Sequence, residues 1–118
     1  MNRIGRAVVR VPDLEAAVSF YGAAFGFSVL FDREIYPGFR AVHVGPGGAG
    51  DAGIWLFPDA EARGSDEPVV VIYSDDFDTD VVRLRSMGAA LSEVSREPSG
   101  RSVILRDSGE NTLVLAEA

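Results

Sequence analysis

The stretch RVPDLEAAVSFYGAAFGF, residues 10–27, decides the fold. Alternating, β-branched residues at 4–11 lead into Pro12 and Asp13, a strand stop followed by a good helix N-cap. Apolar residues then recur at helical spacing, and Gly26 offers the left-handed conformation that commonly ends a helix. The stretch therefore predicts one strand followed by one amphipathic helix.

Three further strands are predicted in the first half of the chain. The extended segments lie at 27–35, 39–45 and 53–58, separated by Pro37-Gly38 and by a glycine-rich loop. Residues 1–58 therefore form a first module with the order strand, helix, and three strands.

The second half repeats this order after a polar linker at 59–67. Asp76 at the second helix start corresponds to Asp13 at the first, which indicates an internal duplication. The second module covers 68–118; its strands are predicted from residue 68 and at 91–97, 101–107 and 112–118. We expect one α+β domain over 1–118, built from two tandem βαβββ modules. Their curved mixed sheets would form a cup, with one helix per module on the outer face.

Composition limits the function classes. The 118 residues are 47% hydrophobic and 25% charged, as in a globular domain, and a net charge of −7 disfavours nucleic acid as a partner. The chain has no cysteine, which removes thiolate metal sites and thiol nucleophiles. It shows neither an apolar signal-peptide core near its start nor a membrane-spanning apolar run. We expect a cytoplasmic protein that does not bind membranes.

The run at 10–27, together with the ending DSGENTLVLAEA at 107–118, resembles the vicinal oxygen chelate superfamily. This superfamily contains glyoxalases, bleomycin resistance proteins and extradiol dioxygenases. The resemblance spans nearly the whole chain and implies paired βαβββ modules, usually in a homodimer.

In metal-dependent members of this superfamily, the first and fourth strands of each module supply one metal ligand each. The resemblance places these positions at Arg6, Trp55, Val69 and Val114. Arginine stays protonated, tryptophan only donates, and valine offers no lone pair, so none suits a divalent ion. We therefore expect the metal-free branch, with no metal and no cofactor.

Strand alternation predicts which side chains face the open side of the cup. They combine arginine heads with aromatic and aliphatic surfaces, as a pocket for a small molecule would. An alternative is that they fill a sheet interface or a dimer contact. The predicted ligand-binding residues are Arg6, Val8, Arg10, Phe39, His43, Trp55, Phe57, Val69, Tyr73 and Val114.

Catalytic residues are not identified by the sequence. His43, the one histidine, and Tyr73 are weak candidates for moving a proton, but no base with an orienting partner can be named. Whether the protein is an enzyme stays open.

The preferred function is binding or sequestering a small molecule, as in antibiotic resistance proteins of the superfamily. Micromolar binding by one arginine and a few aromatic contacts requires apolar burial of roughly a few hundred Å², so the ligand should be flat and partly apolar. Arg6 and Arg10 would repel a cation, which favours an anionic or neutral aromatic. The alternatives are a metal-independent lyase or isomerase and a noncatalytic protein-interaction module.

Overall fold

Two βαβββ units follow each other along the chain. The computed structural model describes all residues, Met1–Ala118. In the first unit the elements are β1 (Arg6–Val11), α1 (Leu14–Phe25), β2 (Ser28–Tyr36), β3 (Phe39–Gly45) and β4 (Gly53–Pro58). In the second they are β5 (Pro68–Ser74), α2 (Phe77–Ser86), β6 (Ser95–Glu97), β7 (Gly100–Arg106) and β8 (Thr112–Glu117). The predicted α+β fold with tandem modules is confirmed.

Each unit forms its own open, curved, four-stranded mixed sheet. The N-terminal sheet has the order β1-β4-β3-β2, and the C-terminal sheet repeats it as β5-β8-β7-β6. The first strand of each unit pairs in parallel with the fourth, and the other pairs are antiparallel. The two sheets are therefore equivalent in topology, as the duplication predicts.

Local capping explains where both helices begin. The carboxylate of Asp13 accepts a hydrogen bond from the backbone N–H of Ala16 at 3.1 Å, and Asp76 accepts one from Thr79 at 3.2 Å. Gly26 ends α1 in the left-handed region, with φ of 70°. Neither helix is long and apolar enough to cross a membrane.

The helices cover one face of the sheets and leave the other open. A core of 16 buried residues runs through both units, including Val9, Tyr21, Leu56, Leu84 and Leu113. At the junction of the units, α1 packs against α2, and the Arg83 Nε donates to the Ala24 carbonyl at 3.1 Å. The units thus share one core.

A buried polar network also joins the two units. Asp107, in the turn between β7 and β8, accepts a hydrogen bond from the Tyr21 hydroxyl at 2.7 Å. The same carboxylate accepts from the backbone N–H groups of Gly109 and Asn111 and from the Asn111 side chain, at 2.8, 2.9 and 3.1 Å. Asn111 also donates to the Arg10 carbonyl on β1 at 3.0 Å. Burial, reinforced by Asp107, raises the pKa of Tyr21 well above its ordinary value.

One strand is shorter than predicted. The sequence predicted a strand over 91–97, whereas β6 covers only Ser95–Glu97. The Ser92 hydroxyl accepts from the Ile104 N–H at 2.8 Å, taking the place of a ladder carbonyl. Leu91 and Val94 pack against the core. The backbone N–H of Ser92 donates to the Ile104 carbonyl at 2.9 Å, so the segment before β6 is attached to β7 by one backbone bond, one side-chain bond and apolar packing.

Candidate ligand-binding site

The register of the N-terminal sheet determines which side chains share its open face. Residues paired across neighbouring strands point to the same side. One row across the sheet therefore contains Val8, Trp55, His43 and Phe31. The next contains Arg10, Phe57 and Arg33, and Phe39 pairs with Tyr36 at the hairpin end. Six predicted site residues lie in these rows: Val8, Arg10, Phe39, His43, Trp55 and Phe57.

Five aromatic side chains form what we call the aromatic face: Phe31, Tyr36, Phe39, Trp55 and Phe57. Tyr36 stacks on Phe39 with ring centroids 4.9 Å apart, Phe39 meets Phe57 edge-on at 5.2 Å, and Phe57 meets Trp55 edge-on at 4.9 Å. These contacts favour fixed relative orientations of four of the rings, while Phe31 contacts arginine side chains instead. The surface suits a planar apolar molecule.

Arg6 lies at one end of the aromatic face. Its guanidinium carbon is 4.5 Å from the Trp55 ring centroid and 4.8 Å from that of Phe31, a cation–π contact with both. Arg33 approaches Phe31 at 4.9 Å. Neither arginine has a carboxylate partner in the structure. Positive charge therefore accumulates beside the aromatic rings of an acidic protein.

His43 lies buried among these side chains, with only 1% of its surface exposed. Its ring packs against Gly53, where an added Cβ would come within 2.6 Å of Nε2. Neither ring nitrogen of His43 has a hydrogen-bond partner, and neither does the buried Nε1 of neighbouring Trp55. Burial first, and the charge of Arg6 second, lower the pKa of His43, so the imidazole is neutral at neutral pH.

The open face of the C-terminal sheet is aliphatic and acidic instead. Val69, Val71, Tyr73 and Ile104 are exposed, with Tyr73 73% accessible, and Val114 is half-buried. Glu93 and Glu97 border a shallow groove with Ile104 and Val114. This face differs from the aromatic face in both charge and shape.

The predicted site residues therefore fall into two groups. Seven lie on the N-terminal sheet, while Val69, Tyr73 and Val114 lie on the C-terminal sheet, and no groove of the chain is lined by both groups. Each sheet has a separate set of edge strands, so a single chain presents two open sheet faces.

Strand alternation did not predict three residues on the open face of the N-terminal sheet: Phe31, Arg33 and Tyr36. Two register irregularities interrupt β2, between Val29 and Phe31 and between Glu34 and Tyr36. Each shifts the side-chain parity by one residue. The Pro37-Gly38 turn was the available signal, because a hairpin there pairs Tyr36 with Phe39.

The weak catalytic candidates are not brought together. His43 has no orienting hydrogen-bond partner and is on the N-terminal sheet, while Tyr73 lies exposed on the C-terminal sheet and makes no side-chain hydrogen bond. No proton-transfer pair is formed within one chain.

The side chains present do not fit the metal site that the resemblance implies. Arg6 and Trp55 carry no suitable lone pair, and they contact each other through the cation–π interaction. Val69 and Val114 belong to the other sheet and offer none. The chain brings together no group of three or more histidine, cysteine, aspartate or glutamate residues that could hold an ion.

Paired βαβββ units with one open sheet face each are the architecture that the resemblance implies. A family model described as the Glyoxalase/Bleomycin resistance protein/Dioxygenase superfamily matches residues 3–115. The chain belongs to this superfamily.

Solved structures give the same result. An antibiotic binding protein, TnmS3 from Streptomyces sp. CB03234, is 29% identical, with 99% of this chain and 96% of that one covered and a TM-score of 0.80. A glyoxalase/bleomycin resistance protein from the same organism is 30% identical, with 97% and 99% covered and a TM-score of 0.75. A superfamily member from Sphaerobacter thermophilus DSM 20745 is 24% identical, with 100% of this chain and 98% of that one covered. Its TM-score of 0.85 shows the shared fold. No curated protein matches the chain.

Proposed function

We propose that this protein binds and sequesters a flat, partly apolar small molecule on its aromatic face, without a metal and without converting it. The main support for this proposal is the row of edge-on and stacked rings, which ends at Arg6, an arginine without a carboxylate partner. The similarity to a structure described as an antibiotic binding protein supports a small-molecule ligand.

The strength of these contacts bounds the ligand. Micromolar affinity requires about 8 kcal/mol net and at least about 4 kcal/mol more for lost translation and rotation. A charge-assisted bond to Arg6 contributes about 1.5–3 kcal/mol, and each aromatic contact contributes about 0.5–1.5 kcal/mol beyond burial. The remainder needs roughly a few hundred Å² of buried apolar surface, more than a three-carbon substrate offers. The ligand is therefore an anionic or neutral aromatic with more than one ring.

Sequestration agrees with the site better than catalysis does. His43 is buried without an orienting partner, and proton transfer requires a positioned base within reach of the substrate. The aromatic face offers contact area and one cationic end, which suffice for binding. The cytoplasmic location expected from the sequence stays a prediction.

We also propose that two copies complete the binding site as a homodimer. The N-terminal sheet presents Arg6 and Arg33 on its open face, whereas the C-terminal sheet presents exposed valines bordered by Glu93 and Glu97. A two-fold axis that places one face against the other makes the contact twice and closes the assembly. Each ligand would then lie between the aromatic face of one copy and the aliphatic face of its partner.

Ligand binding can be tested by thermal shift with a panel of planar polycyclic aromatics. We expect at least one compound to raise Tm in the wild-type protein, and Trp55→Ala and Arg6→Ala each to reduce this shift. Val82→Ala is the control, because Val82 is 66% exposed on α2, away from the open faces. Unchanged shifts in both site variants would refute the aromatic face as the binding surface.

The homodimer can be tested by light scattering coupled to size exclusion. Val71→Asp puts a charge on the open face of the C-terminal sheet, where the side chain is 53% exposed and makes little contribution to folding of the single chain. We expect monomers for this variant and dimers for Val82→Asp, the matched control on α2. A wild-type protein that is monomeric at high concentration would contradict the proposal.

A further inference from the structure

One arginine of the aromatic face differs from the other half-buried arginines of the chain. Arg83 and Arg101 are half-buried as well, and each is paired with carboxylates: Arg83 with Asp80, and Arg101 with Asp78 and Glu117. The guanidinium of Arg6 has cation–π contacts with two aromatic rings, but it forms no ion pair and donates no hydrogen bond to the protein, although the chain contains 18 acidic residues. Its guanidinium hydrogens are therefore available for an acceptor from outside the chain.

The groups next to Arg6 are unsatisfied too. The indole N–H of Trp55 and both ring nitrogens of His43 are buried without a partner, and these two residues pair directly across β3 and β4. A buried polar group without a partner costs about 1–3 kcal/mol, so such a cluster is rare unless a ligand completes it. Arginine and tryptophan can only donate, and a neutral imidazole donates from one nitrogen and accepts at the other, so most of the missing partners are acceptors.

From these observations we infer that the Arg6 end of the aromatic face binds an acidic oxygen of the ligand, a carboxylate or an ionised aromatic hydroxyl, while the ring system lies along Trp55, Phe57 and Phe39. The ligand class is thus the planar aromatic acid. This inference rests on the proposed binding function and narrows the anionic or neutral aromatic to an anion.

A charged and a neutral probe of equal shape test the inference. 2-Naphthoate and 2-naphthamide share the same rings and differ in charge at the substituent. Titration calorimetry of the wild-type protein should give at least about tenfold tighter binding of the carboxylate, the lower end expected for a charge-assisted hydrogen bond. Added salt should lower the affinity of 2-naphthoate but not that of 2-naphthamide, because screening acts on the pair formed by the carboxylate and the arginine.

Arg6→Gln should reduce the preference for the carboxylate over the amide to about one. Arg85→Gln is the control, because it removes the same charge from an exposed site on α2. Equal affinity of both probes for the wild-type protein, or a preference that survives Arg6→Gln, would overturn the inference and leave aromatic binding intact. Failure of both probes to bind would overturn it as well. If Arg6→Gln fails to fold, the wild-type comparison and its salt dependence still decide.

Discussion

Removing one hydroxyl group should measurably loosen the junction between the two modules. Tyr21→Phe keeps the ring, which is fully buried and stacks on Phe27 with centroids 6.4 Å apart. It deletes only the 2.7 Å hydrogen bond to Asp107. The substitution therefore isolates the polar contribution of the junction.

The expected magnitude follows from the number of donors around Asp107. Its carboxylate keeps three of four hydrogen bonds, from Gly109 and from the backbone and side chain of Asn111. Loss of one bond to a buried charged acceptor costs about 1.5–3 kcal/mol of the free energy of unfolding. At about 4 °C per kcal/mol for a chain of this size, Tm should fall by about 6–12 °C.

Urea denaturation followed by far-UV circular dichroism measures this loss directly. Tyr36→Phe provides the matched control, since the Tyr36 side chain is 59% exposed and makes no side-chain hydrogen bond. It should change the free energy of unfolding by less than about 0.5 kcal/mol. A Tyr21→Phe protein as stable as this control would show that the junction network contributes nothing net, and the reasoning would be wrong.

Three other changes test the site and its surroundings. Gly53→Ala places a Cβ 2.3 Å from the Val44 carbonyl oxygen and against the His43 ring, so it should lower stability by about 1–3 kcal/mol in thermal denaturation; Gly50→Ala, with no atom within 4 Å, should be neutral. The folded-state pKa of His43 lies below its ordinary 6.5, so the unfolded chain takes up the proton first. Stability should therefore decline as the pH falls below about 6.5, and urea titrations of His43→Gln should show a shallower decline; an equal slope would contradict the burial. Hydrogen bonds from Arg101 hold the pKa of Glu117 to about 2, so carboxyl NMR should find it ionised down to that pH, and Arg101→Gln should return the pKa towards 4.5. The stabilisation from this pair is present above about pH 4.5 and is lost as the pH falls towards 2; a Glu117 that titrates normally in the wild-type protein would refute the pairing.

Local sequence signals explain why the fold could be predicted from the sequence. Asp13 and Asp76 cap helices as predicted, and Gly26 ends α1 in the left-handed region, because these roles depend on the residue and its near neighbours alone. The duplication then supplied the second module from the first. The topology could therefore be predicted from local signals that occur once in each module.

The candidate site was harder to predict from the sequence, because it depends on pairing between segments that are distant along the chain. The register irregularities of β2 move Phe31 and Tyr36 onto the open face, and alternation within β2 cannot locate such shifts. Whether His43 is buried depends on Arg6, Trp55 and Gly53, which come from two other strands. Sequence spacing gave candidates for the face, but not the contacts among them.

The buried network of Tyr21, Asp107 and Asn111 has a further consequence for how such proteins diversify. These residues belong to the two stretches that make the chain recognisable, and all are on the helix-covered side or in the turn between β7 and β8. The exposed side chains of the open sheet faces, such as Val8 and Tyr73, lie outside the buried core. New specificities can therefore arise by exchanging those exposed residues on an unchanged framework, so close kinship in this superfamily is compatible with unrelated ligands.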